Sequence, residues 1–309
     1  MQNKGLIMRS TGSWYEVQTE SKKIIKCRLR GKLKLKGLKV TNPIAVGDYI
    51  NFTWEEGEPD LGNITDILPR ENYIIRQSVH KTQHAHIIAA NIDQAVLLAT
   101  LAHPRTSLGF IDRFLVTAES FRIDTKIIFN KVDLLSVEDK QYLDSLVVIY
   151  ERLGYKCYFT AATTGEGIKE VKDLLAGKKT LLSGHSGVGK STLVNQIAPN
   201  LDLKTSEISD FADKGVHTTT FATMFEFEEN SYLIDTPGIK ELGLIDLKKE
   251  EIAHYFPEMR ELLGQCKYHN CLHLNEPKCA ILEKVSKYEI SPTRYASYLS
   301  MLQGDDNRR

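Results

Sequence analysis

No apolar run in this 309-residue chain approaches the roughly 20 residues needed to cross a bilayer. The opening stretch, Met-Gln-Asn-Lys-Gly-Leu-Ile-Met-Arg, lacks the apolar core of a signal peptide, so a cytoplasmic protein with no membrane partner is expected. Net charge is absent as well: 40 basic residues balance 40 acidic ones. The chain is therefore not a polycation, and any nucleic-acid footprint must be local. Cysteine is scarce. There are five, an odd number, and three of them fall within residues 266–279. In a reducing compartment such a cluster reads as metal before disulfide. Internal repeats and low-complexity stretches are missing too. With 42% apolar and 26% charged residues the composition excludes large-scale disorder and a fibrous repeat. At about 150 residues per domain the length suggests two domains and room for a small third.

What is present changes character along the chain. Residues 1–72 read as all-β, with runs such as Trp14–Val17, Ile24–Cys27, Asp48–Phe52 and Gly62–Ile67 separated by Gly and Asn turn signals. A unit of that size suits a small β-barrel, with the OB-fold first among the possibilities. Residues 73–90 show no clear period and read as a connector. Over 91–246, strand-like runs (94–100, 126–130, 155–160, 180–183, 232–235) alternate with helix-like ones (111–121, 138–153, 167–175, 190–197). That alternation predicts an α/β domain with a parallel sheet. Residues 247–309 read as a small α-rich domain.

Gly184-His-Ser-Gly-Val-Gly-Lys-Ser191 matches the phosphate-loop pattern, with a strand-like run before it and a helix-like run after it. Glycines let backbone N–H groups turn inward as an anion nest, and the helix N-terminus adds its dipole. Gly184, His185, Ser186, Gly187, Val188, Gly189, Lys190, Ser191 and Thr192 are the resulting nucleotide-binding candidates. Lys190 is expected at the β- and γ-phosphates and Ser191 on Mg²⁺. Asp235-Thr-Pro-Gly238 follows a strand-like run. Asp235 fits a position behind the Mg²⁺, and Gly238 an N–H at the γ-phosphate.

Asn130, Lys131, Val132 and Asp133 form a second loop at a strand end. The Asp133 carboxylate can accept both donors on the N1/N2 edge of guanine. Adenine offers neither and would leave a buried carboxylate unpaired. Lys131 can lay its stem along the base, and Asn130 can tie this loop to the phosphate loop. Thr160 and Ala161 follow the next strand, where a backbone N–H suits guanine O6. Together these features favour GTP over ATP and leave no role for a metabolic phosphate-loop kinase. The base-reading loop at 130 precedes the phosphate loop at 184, the reverse of ordinary small GTPases. A circular permutation is implied, joined through the short Ala176–Lys179 stretch.

Cys266, Cys271, His273 and Cys279 supply a Cys₃His set for one structural Zn²⁺, with His269 a rival fourth ligand on spacing. Cys27 and Cys157 lie in strand-like runs and read as core. Arg28, Arg30, Lys32, Lys34 and Lys36 occupy even positions while Cys27, Leu29, Leu33 and Leu35 occupy odd ones. Period two puts five cations on one strand face, a candidate phosphate-tracking RNA surface.

With these motifs, and with His217-Thr-Thr-Thr220, the chain resembles the ribosome small-subunit-dependent GTPase A (RsgA) family of circularly permuted bacterial GTPases. The resemblance implies an OB domain, a central GTPase domain and a zinc domain. It also implies a cytoplasmic factor that binds the 30S subunit and its 16S rRNA late in maturation, with hydrolysis stimulated by the subunit. One departure is Val216, where members often carry Arg. Ile239 stands where Ras-type GTPases place a water-orienting glutamine, so intrinsic hydrolysis should be slow. His217 is the expected catalytic group for that water, with Thr219 completing the Mg²⁺ shell. A monomer is expected. A competing reading is a zinc- and OB-containing RNA adaptor that holds GTP without turnover.

Overall fold

The structure, a computed structural model, describes residues 2–29, 43–77, 85–199, 222–235 and 247–304. Its elements run β1 (Asn3–Ser10), β2 (Tyr15–Thr19), β3 (Ile24–Leu29), β4 (Tyr49–Glu55), β5 (Glu58–Ile67), β6 (Tyr73–Gln77), β7 (Ala85–Ala90) and β8 (Gln94–Ala99). There follow α1 (Leu108–Ser120), β9 (Thr125–Asn130), α2 (Val137–Arg152), β10 (Cys157–Thr160), α3 (Ile168–Leu175), β11 (Lys179–Ser183), α4 (Lys190–Ile197), β12 (Thr223–Glu228) and β13 (Ser231–Asp235). The last elements are α5 (Lys249–Ile252), α6 (Pro257–Arg260), α7 (Ala280–Ser286) and α8 (Pro292–Gln303). None of the described helices is long and apolar enough to cross a membrane. The chain divides into two compact units. One is Met1–Ala95, Glu170–Ser183 and Ser191–Ile239; the other is Val96–Lys169, Gly184–Lys190 and Lys240–Arg309.

In the first unit, β1 pairs antiparallel with β2 and β4, β2 with β3, and β4 with β5; β3 and β5 run parallel and close the ring. This five-stranded closed barrel has OB-type connectivity. Alternate residues point inward: Tyr15 and Val17, Ile25 and Cys27, Ile50 and Phe52 are all buried, with Ile7 and Ile64. Strand β1 escapes the sequence reading because Leu6-Ile7-Met8 is buried on consecutive positions and shows no alternation. The connector at 73–90 holds two strands, β6 and β7, paired antiparallel from Tyr73↔Ala90. Their run of adjacent apolar residues likewise hides the period of two. Farther along, β11 pairs parallel with β13, β12 pairs antiparallel with β13, and β1 meets β12 at Arg9↔Thr223.

In the second unit β9 and β10 pair in parallel, from Cys157↔Ile127 to Thr160↔Asn130. Strand β9 is buried throughout, so its Ile127-Ile128-Phe129 are apolar on consecutive positions and show no alternation. The Ser107 hydroxyl caps α1 by accepting from Phe110 N at 3.3 Å. A capping box of Ser136 and Asp139 starts α2. The C-terminal helices enclose their own core of Phe256, Met259, Ile281, Ile290, Tyr298, Met301 and Leu302, which also takes in Val116 of α1. Each such side chain contributes about 1.5–3 kcal/mol by leaving water.

Candidate nucleotide site and metal centre

The three nucleotide-motif segments of the second unit are tied together by one side chain. Asn130, at the end of β9, is 3% exposed. Its Nδ2 donates to Val188 O in the phosphate loop at 2.8 Å. Its Oδ1 accepts from Thr160 Oγ1 at 2.9 Å, at the end of β10, and from Ala162 N at 3.2 Å, just after it. Lys131, held in the left-handed region at φ 61°, extends its Nζ to His103 O at 2.7 Å and to Gly187 O at 2.8 Å. Asp133 follows in a single 3₁₀ turn, Val132–Leu134, and is exposed. Ala161 N donates to Glu166 O at 3.1 Å, so this N–H and that of Ala162 already have partners.

The phosphate loop requires glycine where its neighbours crowd it. A Cβ on Gly184 would lie 2.4 Å from Leu98 O, and one on Gly189 2.4 Å from Asn130 Nδ2. Lys190 folds back on the loop, its Nζ donating to Gly184 O at 2.6 Å and His185 O at 3.0 Å. The His185 ring lies against Phe110, with centroids 3.8 Å apart. Val188 is buried, while Ser186 and Gly187 are exposed. Ser191 is half-buried and Thr192 exposed in the first turn of α4. Asp235 is the last residue of β13. His217, Thr219 and Gly238 lie outside the described residues, as do Val216 and Ile239.

The cysteine cluster converges. The ligand atoms of Cys266, Cys271, His273 and Cys279 all lie within 4.8 Å of one another. Cys266 and Cys279 sulfurs are 3.8 Å apart, and His273 Nδ1 is 3.6 and 3.4 Å from them. A tetrahedral Zn²⁺ with ordinary bond lengths demands edges of about 3.8 Å between sulfurs and about 3.6 Å from sulfur to nitrogen. The donor set fits. His269, the rival on spacing, is exposed and outside the cluster. The ligand loop is fixed from outside: Tyr295 Oη donates to His273 O at 2.6 Å and Tyr298 Oη to Leu272 O at 2.9 Å. Glu276 accepts from the N–H groups of Leu272 at 2.8 Å, Leu274 at 2.7 Å and Asn275 at 3.1 Å. Burial, with the neighbouring sulfurs, pushes the Cys271 thiol up to about 12. A cation among the sulfurs inverts that preference and holds them as thiolates.

Of the basic strand, only Arg28 is described; Arg30, Lys32, Lys34 and Lys36 lie outside the described residues. The visible part alternates as expected, with Cys27 buried and Lys26 and Arg28 outward. Arg28 already has partners, Glu55 through Nη2 and Asn63 Oδ1 at 3.4 Å from Nε. Cys157 is half-buried. Sequence reasoning passed over His103, Pro104 and Phe110, which border the phosphate loop. Their one signal is position, just after the buried strand β8.

A profile of the RsgA GTPase family matches residues 67–245, and that of the RsgA N-terminal domain matches residues 4–59. The chain belongs to the RsgA GTPase family. Among RsgA proteins, one from Cytophaga hutchinsonii is 52% identical over 309 residues, covering 99% of this chain and 100% of its own. One from Bacteroides fragilis is 48% identical over 301 residues, covering 97% and 96%. Both are named small ribosomal subunit biogenesis GTPase RsgA. The crystal structure of YjeQ from Thermotoga maritima superposes with a TM-score of 0.81 at 35% identity, over all of both chains. YloQ, a circularly permuted GTPase, gives 0.76 at 29% identity over 100% of this chain and 96% of its own. The order of motifs along this RsgA-family chain, base-reading loop before phosphate loop, is the permuted one.

Proposed function

We propose that the protein hydrolyses GTP to GDP and phosphate in the service of small ribosomal subunit biogenesis. The observation that carries this reading is the Asn130 knot. One buried amide joins the phosphate loop, the base-reading loop and the segment after β10, in a chain whose relatives are RsgA GTPases. In this reading the N–H groups of residues 184–192 cradle the phosphates and Lys190 leaves its loop carbonyls for the β- and γ-phosphates. Asp133 reads guanine, Lys131 lies along the base, and Gly238 meets the γ-phosphate. Ser191, Thr219 and Asp235 would hold Mg²⁺, which supplies charge neutralisation at the β- and γ-oxygens when bound. His217 orients the water that attacks the γ-phosphate, since Ile239 has no group to do so. Cys266, Cys271, His273 and Cys279 hold one structural zinc.

Domains at 1–72, 91–246 and 247–309, with a connector at 73–90, suit this division of labour. The partner is the 30S subunit, met through 16S rRNA, with Arg28, Arg30, Lys32, Lys34 and Lys36 as the candidate phosphate contacts. The protein acts as a cytoplasmic monomer without a membrane partner. GTP turnover measured with and without purified 30S subunits tests the reading. Acceleration by 30S subunits is the expected outcome. Tight GTP binding with no turnover in either condition would favour a nucleotide-dependent RNA adaptor instead.

A further inference from the structure

Helix α1 touches the phosphate loop and the C-terminal helices at points two residues apart. Phe110 lies on the His185 ring, with centroids 3.8 Å apart and planes inclined by 35°. Asp112 is fully buried and accepts from Arg294 Nη1 of α8 at 2.7 Å. Arg294, 1% exposed, also donates from Nε to Glu258 Oε1 of α6 at 2.7 Å and from Nη2 to Oε2 at 3.2 Å. Its guanidinium lies 4.6 Å over the Phe256 ring. Tyr150 Oη of α2 donates to the same Asp112 oxygen at 3.0 Å.

A buried ion pair is a weak source of net stability, because desolvation offsets its attraction. Its effect here is geometric. A planar guanidinium gripped by two carboxylates and an aromatic face has few acceptable placements, so α8 cannot shift against α1 without breaking the set. Phe110 and Asp112 share one helical turn, which moves as a rigid piece. The loop preceding α1 adds to the contact: His103 O accepts from Lys131, and Pro104 Cδ is 3.3 Å from where a Gly187 Cβ would sit.

We propose that Phe110 and Asp112 are positioning residues for the phosphate loop, coupling nucleotide binding there to the placement of helix α8 through Arg294. The inference rests on the reading of residues 184–191 as the phosphate site. Coupling of this kind is reciprocal: whatever nucleotide does to α8, α8 does to nucleotide affinity.

Hydrogen exchange on the full-length protein, with and without saturating GDP, tests it in the unmodified chain, Phe110→Leu and Asp112→Asn. In the unmodified protein GDP should slow exchange over residues 292–303 by at least about threefold. In Phe110→Leu, which keeps apolar volume and leaves the ion pair intact, GDP should still protect residues 184–191 while the α8 response disappears. Asp112→Asn should behave the same way, and each variant should weaken GDP binding by the factor of protection lost. Equal α8 protection in all three proteins overturns the proposal, as does no α8 protection in the unmodified protein with its phosphate loop protected. If Asp112→Asn fails to fold, Phe110→Leu decides. GDP affinity unchanged by Lys190→Ala would instead overturn the phosphate-loop reading, and this inference with it.

Discussion

In the proposed reading Asp133 and Asn130 divide the work of the base-reading loop along the lines of each side chain's chemistry. Asn130 must both donate to Val188 O and accept from Thr160, which an amide does through two separate atoms and an ionised carboxylate cannot do. Asp133 is exposed, and in the proposed reading its carboxylate accepts from the guanine edge. Asp133→Asn should therefore weaken GTP by at least about tenfold and improve xanthosine triphosphate, whose C2 oxygen accepts from the new amide. A competition binding assay checks the swap, and an unchanged preference would remove Asp133 from the role. His217→Ala should keep GTP affinity and 30S binding but lose on the order of 100-fold of the subunit-stimulated rate. Stimulation that survives intact would assign the water to another group. The residues that touch the two loops without belonging to a motif include Phe110, against His185, and His103, which accepts from Lys131. An unremarkable Phe in a helix is recognisable only once its neighbour is known.

Strand β12 is held at Glu226 by groups from elsewhere in its unit. Gln18 Nε2 and Lys22 Nζ each donate to it at 2.5 Å, and Asn230 N donates at 2.9 Å. Burial acts to raise this carboxyl, and the donors Lys22, Gln18 and Asn230 outweigh it, so the group sits below its ordinary value. A lowered folded value means stability that is complete above the unfolded carboxyl range of about 4.3 and is lost as pH falls through the folded one. Glu226→Gln should cost about 1 kcal/mol at pH 7, discounted because Lys22 is 45% exposed. The gap in melting temperature should close between about pH 5 and pH 3. A constant gap would mean packing, not charge, sets the cost. The basic run over residues 28–36 carries a second prediction. RNA affinity should fall with salt at a log–log slope of about −3 to −4, flattened by replacing Arg30, Lys32, Lys34 and Lys36 with Gln. Arg28→Gln alone should leave the slope nearly unchanged, well short of the roughly 0.7–0.9 of a free phosphate-binding cation, because Glu55 already engages it. A slope near zero in the unmodified protein would count against the surface.

The C-terminal module is joined by two different means: an apolar core shared with Val116 of α1, and the Cys₃His cluster that organises residues 266–279. The core can persist without metal, whereas four inward-facing donors with no cation repel or protonate. Cys271→Ser should drop zinc from about one per chain toward zero and open residues 250–290 to protease, while nucleotide still binds. Metal analysis with limited proteolysis reads both. Full metal content in the variant would point to His269 as a substitute ligand.

Where chemistry requires a fixed residue type at fixed spacing, the sequence alone determined the answer. The phosphate loop, Asn130–Asp133 and the Cys₃His spacing are short-range patterns, each found at the strand end or loop expected for it, and the reversed motif order is read directly along the chain. The barrel was legible through the alternation at Ile25 and Cys27 but not at β1, and outside the barrel β6 and β12 were not legible either. Strands buried on both faces, or carrying apolar residues at adjacent positions, lose the period of two that marks a strand. Only the tertiary structure decided between His273 and His269, because both satisfy the spacing and just one has its ring turned inward. The tertiary structure alone also showed that Arg28 is partnered and that Arg294, one arginine among many in the sequence, is buried between Asp112 and Glu258. Contacts made across 182 residues of chain leave no local trace, since either partner is an ordinary charged residue until the fold brings the other beside it.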